Sequence, residues 1–383
     1  MGQASMAQLV KRFQPLLDHD PRVRRRRRHQ LLDIVVIAVC GVLSNCESFV
    51  DIERYGNKKL GFFRRFLELP NGIPSHDTFS RVFARLRPGA FQECLLAWLK
   101  DWQADAGPDI IPIDGKTLRH TFDTAGGKSA LHSVSAWSSR HRMTLGQVAV
   151  AAKSNEITAI PELLKLIDIE GAIVTIDAAG CQKEIARHIV EKKGDYVLTL
   201  KGNHEYLFAD VQQAFAEHLN DATAEQGPGF DRHSEKKKTH GRQEERSCYA
   251  MPAPKSLHGF GDWKGLLTLV MVVGVRTVAG VETPDVRYFL SSLPAKARPL
   301  ARAIRTHWSI ENSLPWVLDI AFREDERRVR KNHGPENLAL LNRLALSLLQ
   351  QDQQNKVGIA CKRKMCGWDD DYLIDILHGN QSL

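Results

Sequence analysis

An α/β fold with a mixed sheet, a β-rich insertion and a preceding helical N-terminal domain is predicted by three features of the sequence. Helical periodicity dominates up to about residue 105. Beyond it short apolar runs alternate with helical segments, and between about residues 220 and 292 strand-like segments follow one another without helices. A chain of 383 residues exceeds what one core usually supports, so two or three domains are expected. The pattern divides it into 1–105, 106–350 and a C-terminal tail at 351–383.

In the first segment, Leu31 to Leu43 is apolar apart from Asp33, and it is shorter than the roughly 18 residues that spanning a bilayer needs. It reads as a buried helix. The arginines before it begin too far into the chain for a signal peptide, so the expected location is cytoplasmic, with no membrane partner. Phe49 to Tyr55 opens a second helix. After the turn residues Pro70, Asn71, Gly72 and Pro74, Ser75 or Asp77 is a candidate N-cap for a helix with Phe79, Val82, Phe83 and Leu86 on one face. Its other face carries Arg81 and Arg85, which suit phosphates or base edges and equally suit a solvated surface.

From residue 109 the elements alternate. Asp109 to Asp114 reads as a strand that ends in a turn at Gly115, and Leu131 to Trp137 and Leu145 to Ala152 as two further strands. Ile160 to Ile167 is a helix, Ala172 to Asp177 a buried strand, Gln182 to Lys193 a helix and Tyr196 to Leu200 another buried strand. His204 to Leu219 is helical and Asp221 to Lys238 reads as a polar loop. Gln243 to Met251, Leu266 to Arg276 and Val286 to Ser291 are strands of the insertion. Pro299 suits the start of a helix carrying Ile304, Trp308 and Glu311, and Pro335 to Leu349 forms an amphipathic helix.

Composition narrows the function classes. Lysine and arginine exceed aspartate and glutamate by 53 to 45, for a net charge of +8, which favours a polyanionic partner. Arg24, Arg25, Arg26, Arg27 and Arg28 form a run whose mutual repulsion an anion would relieve, so this arm is a candidate phosphate contact. The seven cysteines are scattered without a C-x-x-C pair, which argues for reduced thiols rather than a zinc site or disulfide framework. Phosphate-loop, zinc-protease and serine-hydrolase motifs are absent.

Two aspartates share one setting. Asp114 in Ile113-Asp114-Gly115 and Asp177 in Ile176-Asp177-Ala178-Ala179-Gly180 each end an apolar strand, where α/β sheets gather ligands. Neighbouring strands would let both bind one hard divalent cation, which takes oxygen ligands. The same positions also suit ordinary strand-end turn residues. Glu311 lies in His307-Trp308-Ser309-Ile310-Glu311-Asn312 and, on pattern alone, is one acid among many.

The segments Ile113 to Arg119 (IDGKTLR), Thr175 to Gln182 (TIDAAGCQ), Tyr196 to His204 (YVLTLKGNH) and Arg305 to Asn312 (RTHWSIEN) resemble DDE-type insertion-sequence transposases, in the H-repeat-associated branch. The stretch Leu31 to Pro88 is similar to the domain that precedes that family's core. The resemblance implies an RNase H-like catalytic core, with Asp114, Asp177 and Glu311 as catalytic residues and metal ligands. It implies magnesium, replaceable by manganese, as the cofactor. The implied activity is hydrolysis of phosphodiester bonds at an element's ends, a DNA endonuclease step, followed by strand transfer into target DNA in transposition and recombination.

The partners implied are double-stranded DNA, both terminal inverted repeats and target, and further copies of the chain in a synaptic homo-oligomer within a bacterial nucleoid. Lys201 and Asn203 after the last core strand, and Arg242 and Arg246 in the insertion, are further candidate DNA contacts. Two departures stand out. Pro315 occupies a position where relatives carry histidine, and it lacks the amide that would bond the carbonyl of Glu311, which predicts a kink there. Ile304, His307 and Leu318 replace the tyrosine, arginine and lysine found around the glutamate in many related enzymes. A nuclease that cleaves without joining, a DNA-binding copy that has lost catalysis, and a metabolic phosphohydrolase are the competing readings.

Overall fold

The computed structural model describes residues 9–23, 27–100, 108–122, 127, 129–151, 154–220, 229–239, 242–278 and 281–378; the side chains of 220, 239, 242 and 311–313 lie outside that description. Leu31–Leu43 forms helix α1, and all thirteen of its residues are buried, as expected of a helix that is apolar on every side. Phe49–Lys58 (α2) starts at a reciprocal cap between Ser48 and Asp51. Leu60–Phe63 (α3), His76–Arg85 (α4) and Pro88–Lys100 (α5) complete the N-terminal helices around a shared apolar core that includes Phe63, Phe79, Phe83 and Trp98.

The alternating region builds one sheet of nine strands: β1 (Ile110–Leu118), β2 (Leu131–Ser138), β3 (Met143–Ala149), β4 (Ile173–Ile176), β5 (Asp195–Leu200), β6 (Asp231–Thr239), β7 (Arg242–Pro252), β8 (Thr268–Val278) and β9 (Val281–Ser291). Their spatial order is β3-β2-β1-β4-β5-β9-β8-β7-β6. The first three strands pair antiparallel, β1, β4 and β5 pair parallel, and β9 joins β5 antiparallel, so the insertion widens the sheet instead of forming a separate one.

Alternation along each strand assigns the faces. Ile111, Ile113, Val174, Ile176 and Leu198 point into a core with Glu156–Leu166 (α6), Lys183–Glu191 (α7) and Glu205–Asn220 (α8). The opposite face carries Ile110, Ile173 and Val197, which pack on the first half of the 26-residue helix Ala297–Phe322 (α9). At 1.5 Å per residue α9 runs about 39 Å. It crosses β5, β4 and β1, and its last turns, through Leu318 and Phe322, enter the core of the N-terminal helices. Gly334–Gln351 (α10) joins that same core.

Three expectations are corrected. β1 does not stop at Asp114: it continues to Leu118, with Gly115 paired to Val134. The glycine serves a close approach there, because a Cβ would lie 2.0 Å from Glu156 Oε1. The part of the supposed loop from Asp231 to Lys238 is a strand, β6, whose polar sequence reflects its place at the sheet edge. The C-terminal segment also contains two helices, Ile359–Trp368 (α11) and Asp370–His378 (α12), packed into the N-terminal helical core. Among the described residues no helix is long and apolar enough to cross a membrane.

Candidate active site

Parallel pairing of β1 with β4 sets Ile113 opposite Ile176, so the next residues on the two strands are Asp114 and Asp177. Adjacent strands lie about 4.8 Å apart, so the two aspartates are neighbours at the strand ends, and alternation puts Asp114 on the face covered by α9. The Asp114 side chain accepts a hydrogen bond from the Gly115 amide at 2.9 Å. Asp177 Oδ1 accepts from the amides of Ala179 (3.1 Å) and Gly180 (3.3 Å), an Asx turn that fixes that oxygen.

The loop after Asp177 is braced from the end of β5. Asn203 Nδ2 donates to the carbonyl of Ala178 at 3.0 Å, and His204 Nε2 bonds the carbonyl of Cys181 at 2.6 Å. Asn203 thus supports the aspartate loop, while Lys201 is exposed. Beside the loop, a cavity of about 520 Å³ is lined by Asp177, Ala179, Glu156 and His132. His132 bridges the strand to the helix: Nδ1 lies 2.7 Å from Thr117 Oγ1 and Nε2 lies 2.8 Å from Glu156 Oε1.

Helix α9 carries Glu311, whose side chain is among those not described; its backbone position is well bracketed. His307, Glu311, Pro315 and Asp319 succeed one another at four-residue steps, each about 40° further round the helix. His307 is buried and its Nδ1 lies 3.0 Å from Thr175 Oγ1, two residues before Asp177. On the other side Lys116, two residues after Asp114, pairs with Asp319, lies 3.2 Å from Glu324 Oε2 and reaches the carbonyl of Pro315 at 3.5 Å. The helix continues through Pro315 for its full length.

Glu324 is itself buried, with Asn342 Nδ2 at 3.0 Å and Arg343 at 3.3 Å. Burial alone would raise its carboxyl, but the charges of Arg343 and Lys116 and the hydrogen bond from Asn342 hold it below the usual carboxylate range. Burial raises the Asp319 carboxyl, with Lys116 opposing the shift. The parts played by Lys116, Thr175 and Glu324 were not anticipated. Their signals are present in the sequence: a two-residue step from Asp114 to Lys116 and from Thr175 to Asp177, and the four-residue ladder along α9.

Among the described residues no three acidic, histidine or cysteine side chains converge as a metal cluster; Asp114 and Asp177 are the expected pair, and Glu311 is the member whose side chain is not described. Their donor chemistry, carboxylate oxygens at a strand terminus, suits a hard divalent cation better than a soft one. All seven cysteines are free and six are buried, in keeping with reduced thiols.

The candidate DNA contacts are dispersed. Arg81 and Arg85 are exposed on the outer face of α4, with Arg81 Nε bonded to the Asp77 carbonyl at 3.2 Å. Arg27 folds back onto Asp20 (3.3 Å) and the carbonyl of Arg22, whereas Arg28 is exposed; Arg24, Arg25 and Arg26 lie outside the described residues. Arg246 pairs with Glu244 at 2.9 Å and its guanidinium lies 5.7 Å from the centre of the Trp308 ring. It lines a cleft of about 850 Å³ between the insertion and α9, together with Arg276, Arg287, Arg305 and Trp308. The side chain of Arg242 is not described, and its backbone pairs with Thr239 and Val278.

Comparison with known proteins identifies the family. Residues 105–348 match the transposase DDE domain, and residues 12–99 match the DDE transposase-associated domain. The chain is 37% identical over 367 residues to the H repeat-associated putative transposase YhhI of Escherichia coli (strain K12), covering 94% of this chain and 96% of that protein. It is also 37% identical over 374 residues to the putative transposase YncI of Escherichia coli O157:H7, covering 95% of each. The chain therefore belongs to the DDE transposase family, in its H-repeat-associated branch.

Proposed function

We propose that this transposase cuts DNA at the ends of its mobile element and joins the freed 3′ hydroxyls to target DNA, using Asp114, Asp177 and Glu311 to hold magnesium, with manganese able to substitute. The observation that carries the reading is the register of β1 and β4, which puts Asp114 and Asp177 side by side beneath the helix that bears Glu311. The strand order β3-β2-β1-β4-β5, antiparallel then parallel, supports an RNase H-like core for residues 106–350. Residues 1–105 form the DNA-binding part in this reading, and exposed Arg81 and Arg85 suit phosphate contact.

Magnesium held by Asp114, Asp177 and Glu311 would supply Lewis-acid chemistry for phosphodiester displacement. The chain's own work is positional. The Asx turn fixes one oxygen of Asp177 and leaves the other to a ligand, and Asn203 keeps that turn in place. His307 and Lys116 hold α9 over the two strands, so the glutamate joins the site without a costly rearrangement. Arginines 246, 276, 287 and 305 offer phosphate contacts along the cleft beside the insertion. Two element ends must be processed together, so the working form in this reading is a homo-oligomer, acting on the bacterial nucleoid in the cytoplasm.

The test is cleavage and strand transfer of labelled DNA carrying the element's terminal repeats, with magnesium, by the wild type and by Asp177→Ala. Cleaved and joined products that the variant fails to make are expected. Equal nicking by both proteins removes the catalytic reading, and cleavage without joined products reduces the enzyme to a nuclease.

A further inference from the structure

We infer that Lys116 is a positioning residue that sets the register of α9 against β1, and thereby the location of Glu311 relative to the two aspartates. The inference rests on the proposed role of those three carboxylates. Lys116 stands two residues beyond Asp114, on the same face of the strand. Its side chain is 10% exposed, so its ammonium is largely withdrawn from water, an unfavourable position unless its N–H groups are matched by acceptors.

Three acceptors surround it, and each belongs to α9 or to the turn that follows: the Pro315 carbonyl, Asp319 and Glu324. Two of these contacts are hydrogen bonds, to the Pro315 carbonyl and to Asp319, and the third is an ion pair with Glu324 Oε2 at 3.2 Å. Pro315 and Asp319 lie one and two turns beyond Glu311. Lys116 consequently ties the strand that carries the first aspartate to the helix that carries the glutamate. Glu324 is anchored in turn by Asn342 and Arg343 of α10, which packs on β3 and on the N-terminal helices, so the tie does not end on a movable group.

A lysine beside a metal site also suits direct contact with DNA phosphate, and the two roles separate experimentally. A phosphate contact acts on DNA affinity. A positioning residue acts on metal affinity without DNA and on turnover at saturating DNA.

The experiment uses the full-length chain and measures manganese binding by calorimetry without DNA, DNA affinity, and the single-turnover cleavage rate at saturating DNA. Lys116→Met and Asp319→Asn are each compared with wild type, and Asp177→Ala is run beside them. Both test variants are expected to weaken manganese binding and slow cleavage by about 10–100-fold, as for other residues that orient metal ligands, with DNA affinity within about twofold of wild type. A folded Lys116→Met protein with wild-type manganese affinity and rate overturns the inference, as does a loss confined to DNA affinity. Should Lys116→Met not fold, Asp319→Asn decides by the same criteria, since Glu324 then keeps Lys116, Arg343 and Asn342. Unchanged manganese binding by Asp177→Ala contradicts the carboxylate site itself, a result distinct from the failure of Lys116 alone.

Discussion

His307 on α9 and Thr175 on β4 share a buried 3.0 Å hydrogen bond two residues before Asp177. It joins the helix of the expected glutamate to the strand of the second aspartate. Replacing Thr175 with Val removes this bond from a buried setting, at a cost of about 0.5–1.5 kcal/mol. Cleavage by Thr175→Val is expected to fall about 10-fold or more, with a matching loss in denaturation midpoint. Parallel measurement of rate and stability checks this, and unchanged values for both exclude the coupling.

Gly115→Ala tests the close approach of Glu156. The added methyl collides with a carboxyl that also holds His132, so a destabilisation of about 1–3 kcal/mol is expected. The double variant Gly115→Ala/Glu156→Ala should recover much of that loss, as chemical denaturation of the three proteins would reveal.

The sequence exposed the parallel core more clearly than the edges of the sheet. Ala172 to Asp177 and Tyr196 to Leu200 were readable as buried strands because they are short, apolar and bounded by turn residues. β6 was missed because Glu235, Lys236, Lys237 and Lys238 belong to an edge strand with no buried face to reveal it. Gly115 looked like a turn because a close backbone approach and a positive-φ turn select the same residue. The helices α11 and α12 escaped notice because buried Lys362 and Arg363 interrupt the apolar stripe of α11. For the site, adjacent strand-end aspartates were legible, but selecting Glu311 relied on the family resemblance, since nothing local distinguishes it from other helical acids.

Arg363 predicts a stability effect remote from the site. Its buried guanidinium donates to the carbonyls of Val42, Cys46 and Ala321, and it lies 4.2 Å from the centre of the Phe322 ring. These contacts join α11 to the ends of α1 and α9. Arg363→Met leaves several buried carbonyls without donors, so a loss of about 3 kcal/mol or more is expected in urea denaturation.

Asp33 predicts a pH dependence. Burial, helped by the nearby Glu68, raises its folded pKa to about 6, against about 3.9 in an unfolded chain. Between those values the folded state retains a proton that the unfolded state releases, so this group's contribution to stability declines as pH rises and is flat above the folded value. Asp33→Asn should raise the melting temperature at pH 8 by roughly 2–4 °C, and the gain should vanish near pH 4. Melting curves across that range check the sign; a gain that grows on acidification contradicts the assignment.

Anomalous scattering from crystals of the full-length protein soaked with manganese tests the central claim most directly. The account predicts peaks about 2.0–2.2 Å from carboxylate oxygens of Asp114 and Asp177, with Glu311 completing the site. Manganese bound elsewhere, with the Glu311 carboxyl more than roughly 10 Å from both aspartates, would contradict it.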